Sequence, residues 1–274
     1  MEIRQRRMQT AGCAPRLILA LVVAGVSAVG YWTSREWNPF TEEKQAVAYT
    51  PDEEVALGMQ AVPEMAAQFG GQDRDAGAQA AIDRVGRRLL ERSDAGRSGY
   101  PFEFTVLADR ETVNAFALPG GPIFITRALF DRLETEGQLA GVLGHEIVHV
   151  VARHSSEQIA KAQFAQGVAG GVVIASGDPD SARGAMVVAQ MVQMNYGRED
   201  ELQSDKLGVK YMAQAGYDPR SMVRVMEILA EASGGRGSGP DFFSTHPSPD
   251  RRIERIQAAI DDLYKEGVPS GLER

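Results

Sequence analysis

The sequence of 274 residues contains one cysteine, Cys13, and only four histidines. A single cysteine excludes an internal disulfide framework, and it also excludes a zinc site of the CxxC kind. Any metal site must therefore be built from histidine and carboxylate side chains. The few histidines are the first place to look for one.

An excess of positive charge is also missing. Lysine and arginine number 29 against 37 aspartates and glutamates, which gives a formal net charge of -8. Nucleic-acid-binding domains present clustered basic side chains, so we expect no nucleic-acid partner. The apolar fraction of 43% and the charged fraction of 24% are those of an ordinary globular protein with a sizeable core.

Long apolar runs are scarce outside the N-terminus. There, several arginines precede an apolar segment at 17–32, which is typical of an export signal or a membrane anchor. As a helix this segment is about 24 Å long, slightly less than the roughly 30 Å bilayer core, and cleavage after Ala28 also fits the sequence. We expect a basic n-region at 1–16 and either a signal anchor or a signal peptide at 17–32, with the rest of the chain exported.

The remaining chain is predicted to form one helix-rich domain. We expect a polar linker at 33–50, a domain at 51–266 and a tail at 267–274, with Thr50 capping the first domain helix. Segment 102–109 alternates like a strand, and apolar runs flank a Pro-Gly-Gly-Pro turn at 119–122 like a hairpin. Helical patterns cover 52–69, 76–94, 134–155, 157–176, 182–196, 198–215, 219–233 and 249–265. This order predicts an α+β fold, predominantly helical, with a small β-sheet.

Two of these helices are rich in alanine, glycine, valine and methionine. Segments 157–176 and 182–196 are separated by a stretch with two aspartates and an arginine, and each apolar run is short for a membrane span. The pattern favours a buried or surface-associated helical hairpin over a spanning one. Its methionines would suit a partner or membrane surface within 157–194.

The segment "GHEIVHVVARH", at 144–154, holds three of the four histidines. His145 and His149 are one helical turn apart, so both imidazoles lie on one face and can bind one ion. Glu146 lies about 100° around the helix, towards the position of a bound water. This is the HExxH arrangement of zinc hydrolases, and the competing interpretation is a pair of hydrogen-bonded core histidines.

A catalytic zinc ion needs a third protein ligand. His154 would point roughly 140–180° away on an unbroken helix, and Ala152 and Ser155 stand where the metzincin pattern requires glycine and histidine. The carboxylate Glu201 fits better, because Asp205 follows it at i+4. An aspartate there can accept the free N–H of a ligating histidine. The alternative is a solvated acidic helix face.

These motifs together resemble a known family. The segments "LGHEIVHVVARHS", "GREDELQSDKLGVKYMAQAGYDP" and "FSTHPSPDRRIERI", with "NAFALPGGPIFIT" before them, resemble the HtpX, BepA, Oma and CAAX-prenyl-protease group of zinc metallopeptidases, family M48. The resemblance covers roughly 50–262 and implies a zincin-type domain with one Zn²⁺ per chain. The usual ExxAD motif has Ser204 in place of alanine. With a single apolar span, the chain looks more like the exported bacterial members, and we expect it to lack the C-terminal repeat domain that some of them carry.

The resemblance also implies a mechanism. His145, His149 and Glu201 would bind the zinc, Asp205 would support a ligand, and Glu146 would activate the zinc-bound water. For His246 three readings stay open. It could block the zinc at rest, donate to the oxyanion during turnover, or cap the following helix.

The same motifs give three further expectations. A peptide substrate could bind as an added strand along the segment of Asn114, Ala115, Phe116 and Ala117, or this hairpin could be purely structural. Arg252 is expected to form a buried ion pair that fixes its loop. Arg153 and His154 are expected to be structural and to pair with carboxylates.

The leading hypothesis is a zinc-dependent metalloendopeptidase of the cell envelope that cleaves misfolded or misassembled proteins. It would sit on the periplasmic face of the inner membrane, or in the periplasm after signal cleavage. The alternative is an envelope chaperone or assembly factor whose peptidase site is silent or self-inhibited. No particular oligomeric state is predicted.

Overall fold

The computed structural model describes residues 13–176, 196–233, 242–246 and 251–274. The helices are α1 (Cys13–Thr33), α2 (Pro51–Gln68), α3 (Ala76–Arg92), α4 (Arg127–Phe130), α5 (Glu136–Val151), α6 (His154–Ser176), α7 (Arg198–Gln214), α8 (Arg220–Ser233), α9 (Phe242–Thr245) and α10 (Arg252–Leu263). The strands are β1 (Arg35–Asn38), β2 (Glu43–Ala46), β3 (Glu103–Leu107), β4 (Ala115–Ala117) and β5 (Pro122–Thr126). A 3-10 helix covers Asp94–Ser98. The predicted helix at 182–196 and the glycine-rich loop before His246 lie outside the described residues.

The described chain divides into two compact units. The smaller takes 13–38, 42–48 and 156–176, and the larger takes 39–41, 49–155 and the described residues from 196 onward. In the smaller unit, α1 contains a 19-residue apolar segment, Pro15–Thr33, that is long enough to cross a membrane. Its large apolar side chains, such as Leu21 and Val26, are exposed.

The predicted linker at 33–50 contains structure that the sequence analysis missed. Strands β1 and β2 pair antiparallel, with Arg35 opposite Ala46, and the backbone N–H of Val47 donates to the carbonyl of Ser34. These strands are short and polar, so they carry no alternating apolar signal. The segment is an ordered hairpin between α1 and the helix that follows.

The larger unit is built around a three-stranded sheet in the order β3-β5-β4. Strand β3 pairs parallel with β5, and β4 pairs antiparallel with β5, so the predicted strand and hairpin are confirmed. The hairpin turn contains Gly120 at φ +77°, and a Cβ there would lie 2.3 Å from the Cα of Val55. Only glycine allows the turn to pack this closely on α2.

Helix α2 begins as predicted. Thr50 is its N-cap, and its hydroxyl and backbone N–H form a reciprocal capping box with Glu53. Helices α3, α7, α8 and α10 also lie within a few residues of the predicted ranges. The α+β, predominantly helical fold is therefore confirmed.

Helix α5 forms the centre of the larger unit. All its residues from Gly137 to Val151 are buried, and it packs against α3, α7, α8 and β4. Its contact with α7 is close because Gly144 faces Gly208, where a Cβ on Gly144 would lie 3.5 Å from the Gly208 carbonyl oxygen. The predicted extension of this helix to 155 is wrong, since it ends at Val151 and α6 begins at His154.

Candidate metal centre

Helix α5 places His145 and His149 side by side. The spacing of four residues brings their Nε2 atoms to 3.1 Å from each other, and both side chains are almost fully buried. Two imidazole nitrogens at this separation leave room for one shared ion between them. The HExxH spacing therefore produces the predicted pair of converging rings.

The carboxylate of Glu201 faces this pair from α7. Its Oε2 atom lies 3.4 Å from His145 Nε2, and its Oε1 atom lies 3.4 Å from His149 Nε2. Helix α7 begins at Arg198, so Glu201 is in its first turn and projects from a fixed helix start. The close packing of α7 on α5 brings together two motifs that are far apart in the sequence.

His246 completes the cluster from the position that directly follows the short helix α9. Its Nδ1 atom lies 2.9 Å from Glu201 Oε1 and 3.4 Å from His145 Nε2, while its ring stacks on Phe242 at 4.3 Å. The reading in which His246 caps the following helix is wrong, because the N-cap of α10 is Arg251. The structure places His246 inside the site.

The four side chains fit a metal ion. One possible ligand atom from each of His145, His149, Glu201 and His246 lies within 4.8 Å of the other three, and all four residues are buried. Ligands about 2.1 Å from a tetrahedral zinc ion stand roughly 3.4 Å apart. His145 Nε2 lies 3.1 Å from His149 Nε2 and 3.4 Å from both Glu201 Oε2 and His246 Nδ1, which is close to this spacing. A buried oxygen of Glu201, Oε2, has no hydrogen-bond partner among the described residues. Arg252 Nη1 lies 3.2 Å from this oxygen without forming a hydrogen bond, so its lone pairs can still bind a cation.

Glu146 lies beside the four residues. Neither of its buried carboxylate oxygens has a hydrogen-bond partner in the described part of the chain, and Oε1 is 3.7 Å from His246 Nε2. Burial raises the pKa of Glu146. A buried carboxylate with free lone pairs and a raised pKa is suited to accept and release a proton.

Asp205 and Arg252 support the site from behind. Asp205 Oδ1 lies 3.0 Å from His145 Nδ1, and Arg252 donates to both oxygens of the same carboxylate at 2.6 and 2.8 Å. Arg252 Nη1 is also 3.2 Å from Glu201 Oε2. Arg252 thus forms the expected buried ion pair, and it orients a residue that contacts His145.

The electrostatics of the site depend on this arrangement. Burial alone would raise the pKa of the Glu201 carboxyl, but the neighbouring imidazoles of His246, His145 and His149 hold it well below its usual range. Burial lowers the pKa of His149 well below its usual range. For His145 burial acts in the same direction, but Asp205 and Glu201 outweigh it and raise the pKa to about 9. The surrounding imidazoles therefore favour the negatively charged form of Glu201.

Arg153 pairs with a carboxylate as expected, but His154 does not. Arg153 Nε lies 3.2 Å from both oxygens of the buried Glu54. The hydrogen-bond partners of His154 in the described chain include no carboxylate, since it contacts His149, Gln203 and Ser204. The helix is interrupted between α5 and α6, and this interruption turns His154 back towards the site.

Tyr196 is a neighbour of the site that sequence reasoning missed. Its ring stacks on His149 with centroids 4.0 Å apart, and its hydroxyl lies 3.0 Å from Ser155 Oγ. Burial raises the pKa of Tyr196, so the phenol stays neutral. The only signal in the sequence is a tyrosine two residues before α7, which is too common a feature to single out.

The predicted substrate segment lies at a sheet edge. Strand β4 pairs only with β5 among the described strands, and Asn114 directly precedes it. The side chains of Asn114, Ala115, Phe116 and Ala117 are all buried. The strand packs against α5, the helix that carries His145 and His149.

Comparisons with known proteins agree with this geometry. The model of peptidase family M48 matches residues 76–260. The chain is 31% identical over 244 residues to the mitochondrial metalloendopeptidase OMA1 of Schizosaccharomyces pombe, covering 88% of this chain and 70% of that protein. It is 28% identical over 246 residues to the beta-barrel assembly-enhancing protease of Yersinia pestis, covering 86% of this chain and 50% of that protein.

A putative beta-barrel assembly-enhancing protease of Vibrio cholerae is 33% identical over 181 residues, which cover 63% of this chain and 37% of that protein. The chain thus spans half or less of the two assembly-enhancing proteases that it matches. The part matched by the family model, 76–260, contains the four candidate ligand residues and Glu146.

Proposed function

Since this chain belongs to peptidase family M48, we propose that it is a zinc-dependent metalloendopeptidase that hydrolyses peptide bonds of unfolded or misassembled proteins in the cell envelope. The observation that carries the proposal is the convergence of four buried ligand atoms next to the free carboxylate of Glu146. Two imidazoles and a carboxylate are a common ligand set of catalytic zinc.

The metal would be held by His145, His149 and Glu201. A bound zinc ion lowers the pKa of water and polarises a carbonyl group. Asp205 accepts a hydrogen bond from Nδ1 of His145, which leaves the Nε2 lone pair of that ring facing the cluster. Arg252 keeps the Asp205 carboxylate in place for this role.

Glu146 would carry the proton. Its carboxylate accepts a proton from the attacking water and delivers it to the amine nitrogen of the leaving peptide. The pKa raised by burial helps Glu146 to hold this proton between the two steps. The carboxylate needs no rearrangement first, because neither oxygen is hydrogen-bonded to another described residue.

His246 would act as a fourth ligand in the resting enzyme. This reading is supported by its Nδ1 atom, which lies among the other ligand atoms at 2.9 Å from Glu201. A substrate carbonyl would need this position, so His246 would have to move before turnover and could then donate to the oxyanion. We expect His246→Ala to weaken zinc binding and to change the cleavage rate. Unchanged affinity and unchanged rate together would remove His246 from the mechanism.

A substrate would bind in extended form along β4. An edge strand offers free backbone N–H and C=O groups to a peptide, and β4 (Ala115–Ala117) lies at such an edge. The backbone N–H and C=O of Asn114 are bonded to Thr126, so Asn114 would contribute its side chain. Backbone pairing of this kind depends little on the side chains of the substrate. It would suit an enzyme that cleaves many unfolded chains.

The envelope location is supported by the apolar segment Pro15–Thr33 and by the basic residues before it. These features favour the periplasmic face of the inner membrane, or the periplasm after signal cleavage. A role in protein quality control is supported by the relatives, since one is named for enhancing β-barrel assembly.

The decisive experiment measures cleavage of casein by the full chain in detergent. We expect cleavage with zinc, loss of cleavage with a chelator, and loss in Glu146→Gln at undiminished zinc content. Glu199→Gln, an exposed glutamate on α7, is the matched control and should cleave normally. Cleavage that persists in chelator or in Glu146→Gln would refute the proposal. If Glu146→Gln also performed all the cellular work of the wild type, the chaperone alternative would replace it.

A further inference from the structure

The junction between α5 and α6 brings His154 back to the metal centre. Helix α5 ends at Val151 and α6 begins at His154. On an unbroken helix, a residue five positions after His149 would point about 140° away from it. Arg153 interrupts the helix with φ +60°, in the left-handed region that non-glycine residues seldom adopt. This single residue redirects the chain.

Contacts from other parts of the larger unit hold Arg153 in this conformation. Its Nε atom lies 3.2 Å from both oxygens of Glu54, and its guanidinium also donates to the carbonyl of Tyr49. The hydroxyl of Tyr100 donates to Glu54 at 2.5 Å. A disfavoured backbone conformation persists only where its surroundings impose it, and here a buried carboxylate does so.

His154 then occupies a buried position between α5 and α7. Its Nδ1 atom lies 2.9 Å from Nδ1 of His149, and its Nε2 atom lies 2.9 Å from Oε1 of Gln203. The hydroxyl of Ser204 is 3.4 Å from the same Nδ1 atom. The side chain is 1% exposed. Both Gln203 and Ser204 lie between Glu201 and Asp205 in the sequence. The same turn of α7 therefore contacts His154 as well as the two histidines of the metal centre.

The positions of the protons follow from these contacts. Nε2 of His149 faces His145 and Glu201, and a ligating nitrogen must be unprotonated, so the proton of His149 is on Nδ1. That N–H points at Nδ1 of His154, which must then be the unprotonated acceptor. The proton of His154 is on Nε2, where the oxygen of Gln203 accepts it. Each short contact thus contains one proton.

We propose that His154 is a positioning residue that fixes the ring orientation and the tautomer of His149 by accepting its Nδ1 proton. The two zinc-binding histidines would then be supported differently, His145 by the charged carboxylate of Asp205 and His149 by a neutral imidazole. This inference rests on the proposed zinc site. Partners of ligating histidines usually affect metal affinity about 10–100-fold.

The test compares the zinc affinity of two variants in the full chain, measured in detergent by competition with a chelating dye. His154→Phe keeps a ring of similar size but removes the acceptor. His154→Asn is smaller, but its amide oxygen can accept the proton of His149. We expect the affinity to fall about 10–100-fold in His154→Phe and to stay within a few-fold of the wild type in His154→Asn. Ser204→Ala is the matched control in the same pocket and should bind zinc like the wild type.

Packing alone predicts the opposite order, because asparagine leaves a cavity and phenylalanine does not. Equal affinities of wild type and His154→Phe, or a greater loss in His154→Asn, would overturn the inference. If the wild type itself binds no zinc, the proposed function has failed rather than this inference alone.

A second measurement needs no substitution, which matters if His154→Phe does not fold. The chain contains only four histidines, so ¹⁵N-histidine labelling gives a spectrum that can be assigned. With zinc bound, we expect the proton of His149 on Nδ1 and that of His154 on Nε2. A proton on Nδ1 of His154 would contradict the inference.

Discussion

At the scale of single residues, each ligand of the site depends on a neighbour that binds no metal itself. His145 is held by Asp205, which is held by Arg252. Glu201 lies between the imidazoles and the guanidinium of Arg252, at 3.2 Å from Nη1. The charge on Arg252 therefore compensates two buried carboxylates at once. Removing any member leaves a buried charge without its partner.

Asp205→Asn tests this dependence. The asparagine can still accept from His145, but its neutral amide would replace the carboxylate closest to Arg252, whose charge would then be balanced by Glu201 alone. We expect zinc affinity to fall about 10–100-fold and the free energy of unfolding to fall by about 3 kcal/mol. Chelator competition and denaturant titration measure the two effects. Asp200→Asn, which can still accept from the backbone of Gly197, is the control on the same helix. Wild-type affinity in Asp205→Asn would exclude a supporting role for Asp205.

At the scale of helices and strands, glycines decide how closely the elements approach. Gly144 and Gly208 let α5 and α7 pack closely enough for Glu201 to reach His145 and His149. In the smaller unit, a Cβ on Gly167 of α6 would lie 1.9 Å from Ser27 Oγ on α1. Tyr31 and Phe164 also contact each other, with ring centroids 5.1 Å apart. Helices α1 and α6 therefore pack through small residues, as membrane helices commonly do.

Gly167→Leu should separate these two helices. A leucine there would meet Ser27, whereas Gly170 has no atom within 4 Å of its Cβ position and offers Gly170→Leu as a matched control. We expect a short bismaleimide to cross-link Tyr31→Cys with Phe164→Cys, in a Cys13→Ser background, detected by a shift in gel mobility. The yield should fall several-fold with Gly167→Leu and remain with Gly170→Leu. Equal yields in the two variants would show that α1 and α6 do not pack in this way.

At the scale of the whole molecule, folding and metal binding are coupled. The ligand atoms come from α5, α7 and the residue after α9, and they converge only in the folded chain. An ion that binds the folded state alone stabilises it according to its concentration relative to Kd. Without the ion, the negative charge of the buried Glu201 is balanced only by the neighbouring imidazoles and by Arg252.

Zinc should therefore raise the midpoint of thermal unfolding. At a free zinc concentration about 100 times Kd, the gain of about 2.7 kcal/mol corresponds to a rise of roughly 5–10 °C for a protein of this size. Differential scanning fluorimetry with and without a chelator measures the shift. The shift should disappear in Glu201→Gln. A midpoint that does not respond to zinc in the wild type would mean that the four residues bind no ion.

Much of the site could be predicted from the sequence because its information is local. The spacing of His145 and His149, and that of Glu201 and Asp205, translates directly into shared helix faces. Helix starts such as Thr50 and the hairpin at 119–122 also follow from short patterns. The order of helices and strands was enough to indicate the α+β class. For these features, residues that are close together in the sequence determine the local structure.

Only the tertiary structure decided how these local pieces meet. An unbroken helix would point His154 away from the site, but a contact of Arg153 with Glu54, which is distant in sequence, imposes a break at Arg153. The ring of Tyr196 over His149 and the position of His246 among the ligands likewise depend on chain segments that approach from elsewhere. Helical periodicity determines which side chains share a face. Long-range packing determines what that face meets.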